Sequence, residues 1–154
     1  MKLNNIPIHL LFSEERNLCS LEKSFTGCSA GDGSALFRLI LRLNDRAYVS
    51  SRDFSNMECA IIDLQKRLPN DTLIECCQSC RHGNFCPYGD NEDEIHCLIG
   101  YALASKDDVA NIMAAKGYKR QTRALLHRCE QYHRITANDD LYVYNGWLVD
   151  QIKT

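Results

Sequence analysis

Four cysteines, Cys77, Cys80, Cys86 and Cys97, fall within the short stretch CQSCRHGNFCPYGDNEDEIHC over residues 77–97, spaced C-x2-C-x5-C-x10-C. Thiolates are the ligands that soft and borderline metal ions take, and two cysteines two residues apart in a turn can share one ion. Gly83 lets the chain curl back after the pair. Pro87, Gly89 and the polar run Asp90–Glu94 then form a loop that returns Cys97 to the same point. Four thiolates around Zn²⁺ make a closed tetrahedral structural site with Zn–S about 2.3 Å. A loop this polar buries little apolar surface, so metal binding would supply its folding energy. The spacing therefore predicts a zinc site built from Cys77, Cys80, Cys86 and Cys97. An iron–sulfur cluster is the alternative, because Cys86 is followed by Pro87, as at the end of such cluster motifs.

Other chemistries fit less well. Cys76 adjoins Cys77, and on a strand the two face opposite ways, so one ligates; the C-x2-C pairing selects Cys77. His82 and His96 are the histidines near enough to replace a cysteine, and they read as a loop residue and a strand residue flanking Cys97. A c-type haem site needs histidine where Arg81 stands. The zinc-deaminase signature is absent. A redox dithiol sits at a strand-to-helix junction, where the helix lowers the thiol pKa; Gly83, Pro87 and Gly89 argue against a helix after Cys80. A thiol redox protein using Cys77 and Cys80 is nonetheless the alternative from a different functional class. No nucleophile–base pair can be named, so the reading leans away from an enzyme. Cys19, Cys28, Cys59 and Cys129 are expected to be small buried hydrophobes, Cys129 lying beside a surface His133 on a helix.

The chain that must position these groups has 154 residues, 45% hydrophobic and 25% charged, with a formal net charge of −2. Those values exclude disorder and a polyelectrolyte aimed at nucleic acid or anionic lipid. The N-terminal apolar run is broken by Pro7 and His9, unlike a secretory signal, and no stretch approaches the roughly 18 apolar residues of a membrane span. The expectation is a cytoplasmic protein whose nine cysteines stay reduced, with no membrane partner.

A first strand is expected over 6–12 and a glycine-rich loop over 27–34. Phe37, Leu39, Leu41 and Leu43 alternate with Arg38 and Arg42, which predicts a half-buried strand. Asn44-Asp45 turns it into a hairpin with Arg46–Ser51. Ser55 with Glu58 reads as a capping box for a helix that Pro69 ends. Residues 72–76 and 95–103 suggest strands. Ser105 with Asp108 starts a second helix that stops at Gly117, and a third is expected over 121–134, burying Leu125, Leu126, Cys129 and Tyr132. The tail, with Tyr142, Tyr144, Trp147 and Leu148, should dock on the body. The fold class is then α+β: one domain over 1–154, an antiparallel sheet packed by about three helices, carrying a cysteine-rich metal-binding loop over 76–97.

Residues 116–134 hold six basic side chains against Glu130 alone. Lys116, Arg120, Arg123 and His127 recur at helical spacing, which could bind nucleic acid or, more simply, form a solvated helix face. The segment Cys77-x2-Cys80-x2-Gly83-x-Phe85-x-Pro87-Tyr88-Gly89 resembles the core motif of a family of small uncharacterised bacterial proteins. Leu126-x2-Cys129-Glu130-x-Tyr132 and Tyr142-x-Tyr144-Asn145 are similar to that family's ending. The resemblance covers the second half of the chain and implies bacterial origin and a cytoplasmic setting. Taken together, the expectation is a zinc-stabilised interaction or regulatory module whose partner is another protein. A nucleic-acid-binding zinc protein using the basic stretch is a further alternative.

Overall fold

The computed structural model describes residues 3–12, 14–89, 93–118, 121–136, 138, 139 and 145–147. The chain divides into two compact units, 1–74 and 75–154.

The first unit is a mostly antiparallel sheet with one helix. Strands β1 (Leu3–Phe12), β2 (Glu15–Cys28), β3 (Ala35–Leu43), β4 (Arg46–Val49) and β5 (Thr72–Glu75) lie in the order β4-β3-β2-β1-β5. The alternation in β3 does what its pattern dictates: Phe37, Leu39 and Leu41 are buried while Arg42 is exposed. Asn44 and Asp45 both take positive φ, 49° and 61°, the conformation of a two-residue hairpin whose twist matches that of its strands. Strand β2 carries no such pattern. It is a strand because β1 pairs with it from Leu3↔Ser24 to Phe12↔Glu15 and β3 pairs with its other edge. Helix α1 (Met57–Gln65) presents Met57, Ala60, Ile61 and Leu64 to the core and packs against β3. Its cap lies one residue beyond the expected capping box: Asn56 Oδ1 accepts from the Cys59 amide at 3.0 Å. The helix ends at Gln65, before Pro69, and the Gln65 amide takes over a strand's role. It donates to the Thr72 carbonyl and accepts from the Ile74 amide, both at 2.8 Å, fixing β5.

The second unit holds a three-stranded antiparallel sheet, β6 (Gly83–Asn84), β7 (Glu94–Cys97) and β8 (Thr122–Ala124), in that order, with helix α2 (Lys106–Ala114). The capping box at Ser105 forms as its sequence requires: Ser105 Oγ accepts from the Asp108 amide, and Asp108 Oδ2 accepts from the Ser105 amide. Ile95, Leu98 and Leu125 are fully buried.

The expected α+β fold with about three helices is overturned. The described residues form eight strands in two sheets, mostly antiparallel, and two α-helices of nine residues each. The helix expected over 121–134 does not form, because its main-chain groups are taken up elsewhere. Thr122–Ala124 pairs with β7, and the carbonyls of Leu125, His127 and His133 accept from Gln78, Cys77 and Arg81. Leu125, Leu126 and Tyr132 are buried as expected, but by an irregular segment laid along residues 77–81. The basic helical face falls with the helix. Arg128 instead pairs at 2.8 Å with Glu75, a carboxylate only 2% exposed, and Lys119 and Arg120 lie outside the described residues. In the tail Asn145 and Trp147 are buried; Tyr142, Tyr144 and Leu148 lie outside the described residues. No helix among the described residues is long and apolar enough to cross a membrane.

The first unit's stability should rest on the inward face of β3. Leu39→Ala is expected to cost about 2–5 kcal/mol, as large-to-small changes at closed core sites do. Arg38, which meets Asp53 at the partly exposed surface, should cost no more than about 1 kcal/mol on replacement by Ala. Denaturant unfolding of the two variants checks the contrast; equal losses would contradict the assigned face.

Candidate metal centre

The cysteine segment opens with a tight knuckle. Cys77–Ser79 form a single 3₁₀ turn, entered from Cys76 in extended conformation and left through Cys80, also extended. The Cys80 amide reaches the Cys77 carbonyl at 3.3 Å, and the Gly83 amide reaches the Cys80 carbonyl at 2.9 Å. Gly83 is required here. A Cβ at that position would stand 2.0 Å from the Cys77 carbonyl oxygen, a distance no side chain tolerates. The glycine lets β6 run close beneath the knuckle, where Gly83 pairs with Cys97 on β7. Cys97 is thereby brought opposite the turn that carries Cys77 and Cys80.

Two further segments clamp the knuckle. Residues 125–135 run along it, with the Cys77 amide bonded to the His127 carbonyl at 2.7 Å and the Arg81 amide to the His133 carbonyl at 2.8 Å. Tyr132 inserts its hydroxyl between them, 3.0 Å from Ser79 Oγ. From the tail, Asn145 Nδ2 donates to the carbonyls of Gln78 at 3.1 Å and Gly83 at 2.7 Å. Its Oδ1 accepts from the Trp147 amide. Gln78, Ser79 and Asn84 are fully buried, so these bonds satisfy main chain that water cannot reach.

Inside this frame lies a cavity of about 10 Å³, close to the smallest space that admits one water-sized body. Cys77, Cys80, Cys97 and Cys129 line it, with His82 at one side and Ile95 and Ile99 among the apolar walls. Three of the four cysteines expected from spacing are thus brought together. Cys86 is not among the lining residues; it is half-buried in the following turn, where its carbonyl accepts from Gly89. Cys129, expected as core filler on a helix, is half-buried in an irregular segment and faces the cavity instead. Of the adjacent pair, Cys77 lines the cavity and Cys76 does not, although both are buried. His96 is buried away from it, with Nδ1 3.1 Å from the Tyr118 hydroxyl. His82 meets His133 edge to face.

The thiols report their surroundings. Burial pushes the Cys77 thiol far above its ordinary range, and the charges of Cys76, Cys80, Cys97 and Cys129 raise it further. Cys80 is likewise raised by burial; hydrogen bonds involving the His133 and His82 backbone partly offset this, while Cys97 and Cys129 add to it. Cys76 is pushed up to about 11 by burial, against hydrogen bonds from Ser79. Such thiols are neutral at physiological pH and poor nucleophiles, the opposite of a redox-active dithiol. No disulfide joins any of the nine cysteines; Cys28 and Cys59 are exposed, so burial does not account for them. Among the described residues, no three or more His, Cys, Asp or Glu side chains are grouped, as they stand, to hold a metal ion. The donor set suits one nonetheless: four sulfurs and an imidazole edge, with no carboxylate among the described residues of the cavity wall.

Compared with known proteins, the chain matches no protein family and no curated protein.

Two variants test the frame independently of any metal. Gly83→Ala should cost about 3 kcal/mol or more, since the backbone has no room to give. Asn145→Ala removes the donor to two buried carbonyls and should cost about 1–3 kcal/mol. Amide hydrogen exchange over residues 77–84 should quicken in both; unchanged protection there would show that the knuckle does not depend on them.

Proposed function

We propose that this protein is a metal-stabilised interaction module in which Cys77, Cys80, Cys97 and a fourth thiol hold one zinc ion. The observation that carries the reading is the convergence of cysteines from separate segments on one small cavity. Rotation about χ1 between staggered wells is the movement this reading requires of the thiols. When bound, the ion turns buried neutral thiols into charge-compensated thiolates and ties the knuckle to β7. The size of the cavity favours a single ion over a multi-iron cluster.

A site closed by four protein ligands leaves no position for substrate or water, so its role is structural. Function then rests with the surface it supports, and in the second unit that surface presents Tyr88 at 66% and Tyr101 at 38% exposure. Exposed aromatics of this kind anchor protein–protein contacts, and the partner proposed is another protein. A reducing compartment such as the cytoplasm suits nine cysteines that form no disulfide.

Elemental analysis of protein purified under reducing conditions should find zinc near one equivalent per chain. A strong chelator should then lower the thermal midpoint of the second unit. Metal-free protein that gains no stability from added zinc would overturn the proposal, and a brown protein with visible sulfide-to-iron absorption would replace zinc by iron.

A further inference from the structure

We infer that the fourth ligand is Cys129 and that Cys86 is not a ligand, an assignment that rests on the zinc reading above. The ligand spacing is then C-x2-C-x16-C-x31-C, drawn from three separate stretches of chain. Three observations place Cys129. It lines the same cavity as Cys77, Cys80 and Cys97, and Cys86 does not. The segment that bears it is anchored on both sides, because the His127 carbonyl holds the Cys77 amide and the His133 carbonyl holds the Arg81 amide. Residue 129 therefore sits in an arch spanning the two ends of the knuckle. A turn closed from the Tyr132 amide to the Cys129 carbonyl at 3.2 Å fixes the position within that arch.

The chemistry balances simply. Each of four S–H bonds is replaced by a bond from sulfur to zinc, four protons pass to solvent, and no electron moves. Arrival of the ion thus links the 77–80 knuckle, β7 and the 127–133 arch at one point. The same arch carries Arg128, whose guanidinium meets Glu75, so the metal stabilises the position of that buried pair as well.

The test uses the full chain purified under reducing conditions, loaded with zinc or with cobalt(II) as a spectroscopic stand-in. Cys86→Ser should keep one zinc per chain and the wild-type thiolate-to-cobalt band. Cys129→Ser should lose the band intensity of one thiolate and release zinc to a competing chelator more than about tenfold more readily, the least that losing even an outer partner of a ligand costs. Should Cys129→Ser fail to fold, wild-type protein still decides. Zinc should protect Cys77, Cys80, Cys97 and Cys129 from a maleimide while Cys86, Cys28 and Cys59 label. Protection of Cys86 with labelling of Cys129, or the reverse order of the two serine variants, overturns this assignment and leaves the zinc reading standing. Wild-type protein that takes up neither metal overturns both.

Discussion

Gly83 passes so close to the Cys77 carbonyl that no side chain could stand there, and the second unit is built around that approach. It forces a sharp return after Cys80, sets β6 beneath the turn and puts Cys97 opposite it. A turn this tight leaves peptide groups with no partners of their own. Residues 125–135 and Asn145 supply those partners, and in doing so they give up any helix of their own. The position of Cys129 at the cavity is a by-product of that hydrogen-bond exchange.

The two units are held together by different physics. In the first, Ile8, Leu10, Leu21, Leu39, Leu41, Ile61 and Leu64 are almost wholly buried, and apolar area removed from water does most of the work. The second buries Gln78, Ser79, Asn84, Asn145 and the Glu75–Arg128 pair alongside a thinner set of aliphatics. Buried polar groups of that kind specify a structure when every partner is present, but they contribute little net stability. A small unit of this composition is the sort that gains from a metal staple. The proposed zinc site stands where such a staple would act, at the meeting point of the knuckle, the sheet and the arch.

Raised thiol pKa values give this arrangement a consistent chemical character. Desolvation and mutual repulsion keep Cys77 and Cys80 protonated in the absence of an ion, which suppresses both nucleophilic attack and thiol–disulfide exchange. In the proposed zinc site a divalent cation would replace those protons.

Much of this was readable along the chain. The inward side of β3, the Asn44-Asp45 turn and the Ser105 cap are contracts between near neighbours, so alternation and spacing reveal them. The knuckle was visible for the same reason, since Cys77, Cys80 and Gly83 act on one another over a few residues. Strand β2 was not visible, because its polar residues are held extended by partners on both edges. Nor was the lost helix over 121–134, whose apolar spacing suits a helix but whose carbonyls bond residues 77–81 instead. Cys129 follows from that exchange. Short-range sterics wrote the identity of three cavity cysteines into the sequence, whereas the fourth depended on main-chain bonds between segments some fifty residues apart, which no local pattern records.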